Sequence, residues 1–182
     1  MIEWLQNLSG GAATFVGSFT GSVLGLVALL VGALFNAWLN RRRDRQIRLE
    51  EKQSVATALH AELAGFDQML SRNSETLENI TRDNFLIPDL AQSVRVFPHM
   101  LPKIGLLDPT TISNTVDAYL MIDQYSESLL VLGGKLNQNV LHRRLIELPS
   151  NSAKHVGMLN KVTSEAIRRA LSNLDGRPRR PQ

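Results

Sequence analysis

The 182-residue chain contains no cysteine. That absence excludes a disulfide scaffold, a thiolate zinc site and a cysteine nucleophile, and it leaves the redox compartment undetermined. Aromatic residues make up only 5% of the chain, and no Asp, Glu, Lys or Arg occurs from Trp4 to Asn40. Because most of the charge follows position 40, we divide the chain into a membrane segment and a polar helical domain.

The uncharged stretch predicts a single membrane crossing. Trp4 and Trp38 both suit a membrane interface, but a continuous helix between them would measure about 51 Å, which exceeds the ~40–45 Å of a whole bilayer. The Gly10–Gly11 pair offers a break. We therefore predict an outer interfacial segment over residues 1–13 and a transmembrane helix over residues 14–40.

Positive charge follows this stretch, where residues 41–48 read RRRDRQIR, and the only charged side chain before it is Glu3. A cleaved signal peptide has the opposite order, so we expect an uncleaved anchor. Arginine excess marks the cytoplasmic side of a membrane. The pattern predicts an external N-terminus, a cytoplasmic helical domain over 41–176 and a basic tail over 177–182.

The arginines that follow the crossing are interpreted as lipid contacts. Attraction to anionic headgroups is about 1 kcal/mol for each such residue. The residues concerned are Arg41, Arg42, Arg43, Arg45 and Arg48. The net charge of the chain is only +3. We therefore do not expect a nucleic-acid partner.

Three glycines recur at a spacing of four inside the predicted crossing. Gly17, Gly21 and Gly25 share one helix face, and Ser18 and Ser22 stand one step round it. A second backbone approaches such a face closely and gains van der Waals contact that lipid does not replace. We interpret this face as a helix–helix contact. The crossing has no ionisable residue of the kind that marks pumps and transporters, which argues against active transport.

Apolar residues continue at heptad spacing after the arginines, and Pro is absent from Met1 to Ile87. This pattern predicts that the crossing helix continues as a cytoplasmic helix to about Arg82. The expected seam comprises Leu59, Leu63, Phe66, Leu70 and Leu77. It could pack against another copy as a coiled coil or against later helices as a bundle. Lys52 and Asn73 interrupt the heptads, which favours an irregular bundle.

The remaining segments complete an all-α prediction, because no alternating strand pattern is found. Residues 83–108 contain three prolines and many apolar residues, which predicts a compact loop with short helical turns. Asp108 and Pro109 should begin a helix that ends at Gly133 and Gly134. Residues 135–149 are ambiguous and could form a further short helix.

A last amphipathic helix should begin at Asn151 or Ser152 and end at Gly176. No motif in these segments carries chemistry. His60, His99, His142 and His155 are scattered, without the HExxH spacing of a zinc site. We therefore predict no metal, no cofactor and no enzymatic activity.

The segment VFPHMLPKIGLLDPTTISNTVDAYLMIDQYSESL, together with the crossing and the arginine-rich helix, resembles a group of small bacterial single-pass membrane proteins. A proline-bearing turn, a glycine–leucine–leucine step and a helix with a central aromatic residue carry the resemblance. The matching residues are Pro98, Gly105, Leu106, Leu107 and Tyr119. The resemblance implies the bacterial inner membrane and the same architecture, and it supplies no catalytic residues.

These patterns favour a membrane-anchored helical protein that forms homo-oligomers and docks a cytoplasmic protein partner without catalysis. The alternative is an oligomeric membrane effector or channel, of the toxin or antiviral defence type, whose pore wall would include Ser18, Thr20 and Ser22. A face of small residues packs closed more often than it encloses water. The pore interpretation therefore ranks second.

The charge asymmetry predicts the sidedness of the chain. Single cysteines introduced as Asn7→Cys and Ser172→Cys are clean probes, because the chain has none of its own. In intact cells an impermeant thiol reagent should label position 7 and not position 172. The reverse labelling would overturn both the orientation and the cytoplasmic assignment of the domain.

Overall fold

The computed structural model describes residues 10–79, 83–137 and 144–175, and for residues 10–13 the backbone alone. Within these residues the chain is mostly helical. Its four α-helices are α1 (Gly10–Glu78), α2 (Val96–Met100), α3 (Pro109–Val131) and α4 (Ala153–Leu174). Its three strands are β1 (Asn84–Pro88), β2 (Lys135–Asn137) and β3 (Leu145–Pro149). Residues 1–9 of the predicted outer segment and the predicted basic tail over 177–182 lie outside the described residues.

The chain divides into two compact units, Met1–Leu49 and Glu50–Gln182. Within the first unit, the described side chains are exposed apart from the half-buried Val16. The helix Thr14–Glu78 contains a window of mean hydropathy 2.1, none of which is buried. By length and composition this helix could cross a membrane, as the uncharged stretch predicts.

Helix α1 contributes one apolar face to the core of the second unit. Val55, Leu59, Leu63, Phe66 and Leu70 are each at most 3% exposed. Steps of three and four residues separate them, which is the spacing of one helix face. Leu77, the last residue of the predicted seam, is only partly buried against the same cluster.

The other side of this core comes from α3, α4 and the strands. Their fully buried side chains include Ile122, Tyr125, Leu129, Ile146, Leu148 and Ile167. Helices α3 and α4 pack side by side along their lengths. The face of α1 is therefore buried by later segments of the same chain.

The expectation of an all-α fold is confirmed only in part: the described residues are mostly helical, but three short strands form an antiparallel sheet in the order β1-β3-β2. Phe85 of β1 lies opposite Leu148 of β3, and Ile87 lies opposite Ile146. These four side chains are buried. The alternation is hard to read in the sequence because Leu86, between the two buried residues of β1, is also apolar although 43% exposed.

Two connecting regions consequently differ from their predictions. Residues 83–108 contain the short helical turns that were expected, Ala91–Ser93, α2 and Leu101–Leu106, but also strand β1. The ambiguous segment 135–149 contains β2 and β3 at its two ends and no helix in its described part. Strand β1 pairs with β3 across about 60 residues of sequence, and β2 joins β3 across about 10, so tertiary pairing outweighs local propensity here.

The predicted start of α3 is confirmed. The carboxylate of Asp108 accepts a hydrogen bond from the backbone N–H of Thr111 at 3.0 Å and from its hydroxyl at 2.7 Å. These bonds lower the pKa of Asp108 below its ordinary value. Pro109 occupies the first helical turn, where no backbone donor is needed.

The predicted end of α3 is also confirmed. Gly133 has φ 90°, a conformation that side chains rarely adopt. The N–H of Gly134 donates to the carbonyl oxygen of Leu129 at 3.0 Å. A Cβ atom at position 134 would come within 2.5 Å of that oxygen, so the chain turns here only with glycine.

We expect Leu63→Asp to destabilise the second unit. Leu63 is fully buried, and a carboxylate there would have no partner among its apolar neighbours. The free energy of unfolding should fall by more than about 3 kcal/mol. Ala61→Asp, an exposed position on the same helix, is the control and should change it by about 0.5 kcal/mol or less. Thermal unfolding followed by helicity, together with protease resistance, measures the stability of each variant. Equal stability of Leu63→Asp and Ala61→Asp would contradict the prediction.

Candidate functional site

The glycine face of α1 is open in the single chain. A Cβ atom added at Gly17, Gly21 or Gly25 meets nothing within 4 Å. Each glycine in a helix interior costs about 1 kcal/mol relative to alanine. Because the packing of the described chain requires no glycine at these positions, it offers no compensation for that cost. Close contact with another helix would offer one.

Sequence reasoning missed a fourth glycine of this face. Gly32 follows Gly25 by seven residues, which is close to two helical turns, and it too has open space where a side chain would be. Ala28 stands between them on the same side of the helix. A search for spacings of four alone overlooks Gly32, whereas the alternation of three and four would have found it. We refer to Gly17, Gly21, Gly25 and Gly32 as the glycine face.

The hydroxyl groups near this face bond to their own helix. Thr20 Oγ1 donates to the carbonyl oxygen of Val16 at 2.7 Å, and Ser22 Oγ donates to that of Ser18 at 3.0 Å. Bonds of this type satisfy a hydroxyl donor without a partner from another chain. They leave a small, smooth surface beside the glycines.

An aromatic and cationic group lies where the uncharged stretch of the first unit ends. The ring of Trp38 is stacked with that of Phe35 at a centroid distance of 6.0 Å, and the guanidinium carbon of Arg42 is 5.8 Å from the Trp38 centroid. All five arginines of residues 41–48 are exposed. Thr14 and Trp38 are about 36 Å apart along the helix, enough for the ~30 Å hydrocarbon core of a bilayer.

In the second unit, Glu62 of α1 binds the start of α2. Its Oε1 accepts hydrogen bonds from the backbone N–H groups of Arg95 at 2.6 Å and Val96 at 2.7 Å. Its Oε2 accepts from the N–H of Phe97 at 3.0 Å and from the hydroxyl of Tyr119 at 2.6 Å. One carboxylate therefore joins α1, α2 and α3, and its negative charge strengthens all four bonds.

Tyr119 acts in this arrangement as a permanent donor. Its ring stacks on Phe97 at 4.0 Å. Burial raises the pKa of Tyr119 far above its ordinary value, and the hydrogen bond to Glu62 and the charge of Glu62 raise it further. The phenol therefore stays protonated at every physiological pH. Neither Glu62 nor its four donors could be identified from the sequence, because the donors lie 33 to 57 residues away along the chain.

A second polar group joins α1, α3 and α4 inside the core. The hydroxyl of Tyr125 donates to Oδ1 of Asn160 at 2.7 Å, and Nδ2 of Asn160 donates to Oγ of Ser74 at 3.1 Å. Burial raises the pKa of Tyr125, opposed by the adjacent side chain of Asn73. Asn73, which interrupts the predicted seam, is therefore a buried residue beside this polar group.

Charged side chains add contacts between α1 and α4 nearer the surface. The carboxylate of Asp67 accepts a hydrogen bond from the hydroxyl of Ser164 and pairs with Nε of Arg168 at 3.1 Å. Nε2 of His60 lies 3.0 Å from Oδ1 of Asp175. In the described part of the chain, no group of three or more His, Cys, Asp or Glu side chains is placed to hold a metal ion.

Comparisons with models of protein families, with curated proteins and with solved structures find no match to this chain.

We expect Glu62→Gln to weaken the attachment of α2. An amide replaces one carboxylate oxygen with a donor that faces other donors, and the charge that strengthens the bonds is lost. The free energy of unfolding should fall by about 1.5–3 kcal/mol.

Glu51→Gln is the matched control, because Glu51 also lies on α1 but pairs with the exposed Lys103, at 3.2 Å. The same substitution there should cost no more than about 1 kcal/mol. Denaturant unfolding of the two proteins measures the difference, and equal stabilities would show that the Glu62 bonds contribute nothing beyond a surface ion pair.

Proposed function

We propose that this chain is a membrane-anchored helical protein that assembles with copies of itself through the glycine face of α1 and acts by binding. The observation that carries the proposal is the glycine face itself: an uncharged, exposed helix presents glycines that the described single chain does not need for its own packing. In lipid, apolar side chains give helices no hydrophobic drive to associate, so close backbone approach is the main source of contact energy.

The proposed topology has the N-terminus outside and the second unit in the cytoplasm of a bacterial cell. Arginine excess after the crossing supports this orientation. The Trp38–Arg42 contact supports a boundary at that level, since an aromatic ring and a cation both suit the headgroup region. Anionic headgroups would bind Arg41, Arg42, Arg43, Arg45 and Arg48. The resemblance to small bacterial membrane proteins supports the inner membrane.

For the second unit we propose an irregular helical bundle that docks a cytoplasmic protein. Full burial of Leu59 and Leu63 within one chain supports a bundle over a zipper between copies, because a zipper would leave these side chains exposed in the monomer. The polar group around Tyr125 and Asn160 supports the same interpretation. Such groups fix which helices pack together.

A pore formed by the assembled crossings remains the second candidate. Thr20 and Ser22 donate to carbonyl oxygens of their own helix, which satisfies these hydroxyl donors without water. This arrangement suits an apolar surrounding. It supports a closed helix contact over a water-filled one, and dye leakage on induced expression would distinguish the two.

We expect Gly21→Ile to reduce assembly in native membranes. A branched side chain at the centre of the glycine face would separate the two backbones, and the lost packing would not be replaced by lipid. The position tolerates the side chain within one copy, because nothing lies within 4 Å of its Cβ. Cross-linking of differently tagged copies should fall, while carbonate extraction should show insertion intact.

Ala33→Ile is the matched control for this prediction. It places the same branched side chain within the same helix and adds nearly as much bulk, but position 33 stands off the glycine face. Cross-linking should therefore stay close to that of the parent. Unchanged cross-linking for Gly21→Ile, with insertion intact, would show that the glycines are not the assembly surface.

A further inference from the structure

Charged side chains of both signs line one polar cavity of the second unit. The cavity lies between α1 and α4 and has a volume of about 370 Å³. That volume is at the small end of the range for ligand sites, ~300–1,000 Å³. The charged residues of its lining all belong to α4 and are Lys161, Glu165 and Arg168. Spacings of four and three residues place them on one helix face, in the order positive, negative, positive.

The guanidinium group of Arg168 is held in place by Asp67 of α1. Nε of Arg168 lies 3.2 Å from Oδ1 and 3.1 Å from Oδ2 of Asp67. The same carboxylate accepts a hydrogen bond from the hydroxyl of Ser164. Asp67 binds Arg168 through Nε, and the two terminal nitrogens of the guanidinium carry its other N–H donors. A planar fork of this kind suits a second carboxylate, supplied by a ligand.

Lys161 and Glu165 are exposed and four residues apart on α4. In the part of the chain that the structure describes, neither of them forms an ion pair. A simple anion in the cavity would be attracted by Lys161 and Arg168 but repelled by Glu165, and a simple cation would meet the reverse. The lining therefore suits a molecule that carries charge of both signs.

The serine hydroxyls of the cavity present acceptors to a ligand. Ser71 Oγ donates to the carbonyl oxygen of Asp67 and Ser74 Oγ to that of Leu70, both at 3.0 Å. The third hydroxyl, that of Ser164, donates to the carboxylate of Asp67. A hydroxyl has one donor and two acceptor lone pairs, so oxygens that already donate bind an N–H group better than an anion. The positive part of the ligand is therefore an ammonium group.

The inner wall of the cavity is fixed before any ligand binds. Leu70 and Asn160 line it, and each is only 1% exposed. Asn160 accepts a hydrogen bond from the hydroxyl of Tyr125 and donates one to Oγ of Ser74. A preformed wall lowers the entropy cost of binding a small molecule.

We propose that this cavity binds an acidic α-amino acid. The ammonium group of the ligand binds the carboxylate of Glu165 and the serine oxygens, and its two carboxylates bind Arg168 and Lys161. Two negative groups and one positive group on the ligand then match two positive groups and one negative group on α4. All the residues concerned belong to the second unit, so assembly through the glycine face is not required for binding.

L-Glutamate is the probe, titrated by calorimetry into the full-length protein in detergent at constant ionic strength. Two analogues each lack one charged group: glutarate has no ammonium group, and 4-aminobutyrate has no α-carboxylate. L-Glutamate should bind saturably. Each analogue should bind at least about tenfold more weakly, because one charged hydrogen-bonding contact is lost.

Two variants of exposed residues test the assignment of the charges. Lys161→Gln should weaken L-glutamate binding at least about tenfold. Glu165→Gln should weaken it to a similar extent but strengthen the binding of glutarate, because a repulsive carboxylate is removed. Lys154→Gln is the control, since Lys154 is also exposed on α4 but does not line the cavity, and its affinity should equal that of the parent.

Three results would each overturn the proposed ligand: no saturable binding of L-glutamate, equal affinity for glutarate, or unchanged L-glutamate affinity in either variant. Gly21→Ile should bind L-glutamate as the parent does. Loss of cross-linking in Gly21→Ile and loss of binding in Lys161→Gln therefore report separately on the glycine face and on the cavity.

Discussion

Burial of the apolar face of α1 is the contact on which the second unit depends. Leu59, Leu63 and Leu70 are at most 1% exposed, and the helices and strands that follow along the chain cover them. No disulfide and no metal ligand set in the described residues substitutes for this contact. The later helices and strands present apolar side chains to this face, and a polar side chain buried between the helices costs free energy unless it is hydrogen-bonded.

Two polar arrangements meet that requirement in different ways. Glu62 uses its charge to bind three backbone N–H groups and a phenol, and so fixes a segment that is too short to be stable as an isolated helix. Tyr125 and Asn160 are neutral and buried, and their bonds to α1 select one alignment of the helices. Burial of apolar side chains contributes most of the folding free energy. The hydrogen bonds of Glu62, Tyr125 and Asn160 instead determine how the helices are aligned.

The first unit, unlike the second, has no buried core in its described residues. Its described side chains are exposed in the single chain apart from the half-buried Val16, and its helix is long and apolar enough to cross a membrane. Glycine at four positions of one face lowers the helix propensity of α1, and no close contact within the described chain compensates for that loss. Val131 of α3 and Met158 of α4 are likewise exposed apolar side chains. The packing of the described residues explains neither these side chains nor the glycine face.

The sequence alone determined the uncharged helix, the arginines that follow it, the glycine spacing, and the cap and end of α3. Each of these depends on residues within one or two helical turns of each other, where sterics, capping and charge act locally. The tertiary structure alone decided the sheet and the Glu62 bonds. Phe85 pairs with Leu148, and Glu62 binds Tyr119, across 57 residues or more. Such contacts form only when packing of the whole unit brings distant segments together, so no local pattern encodes them.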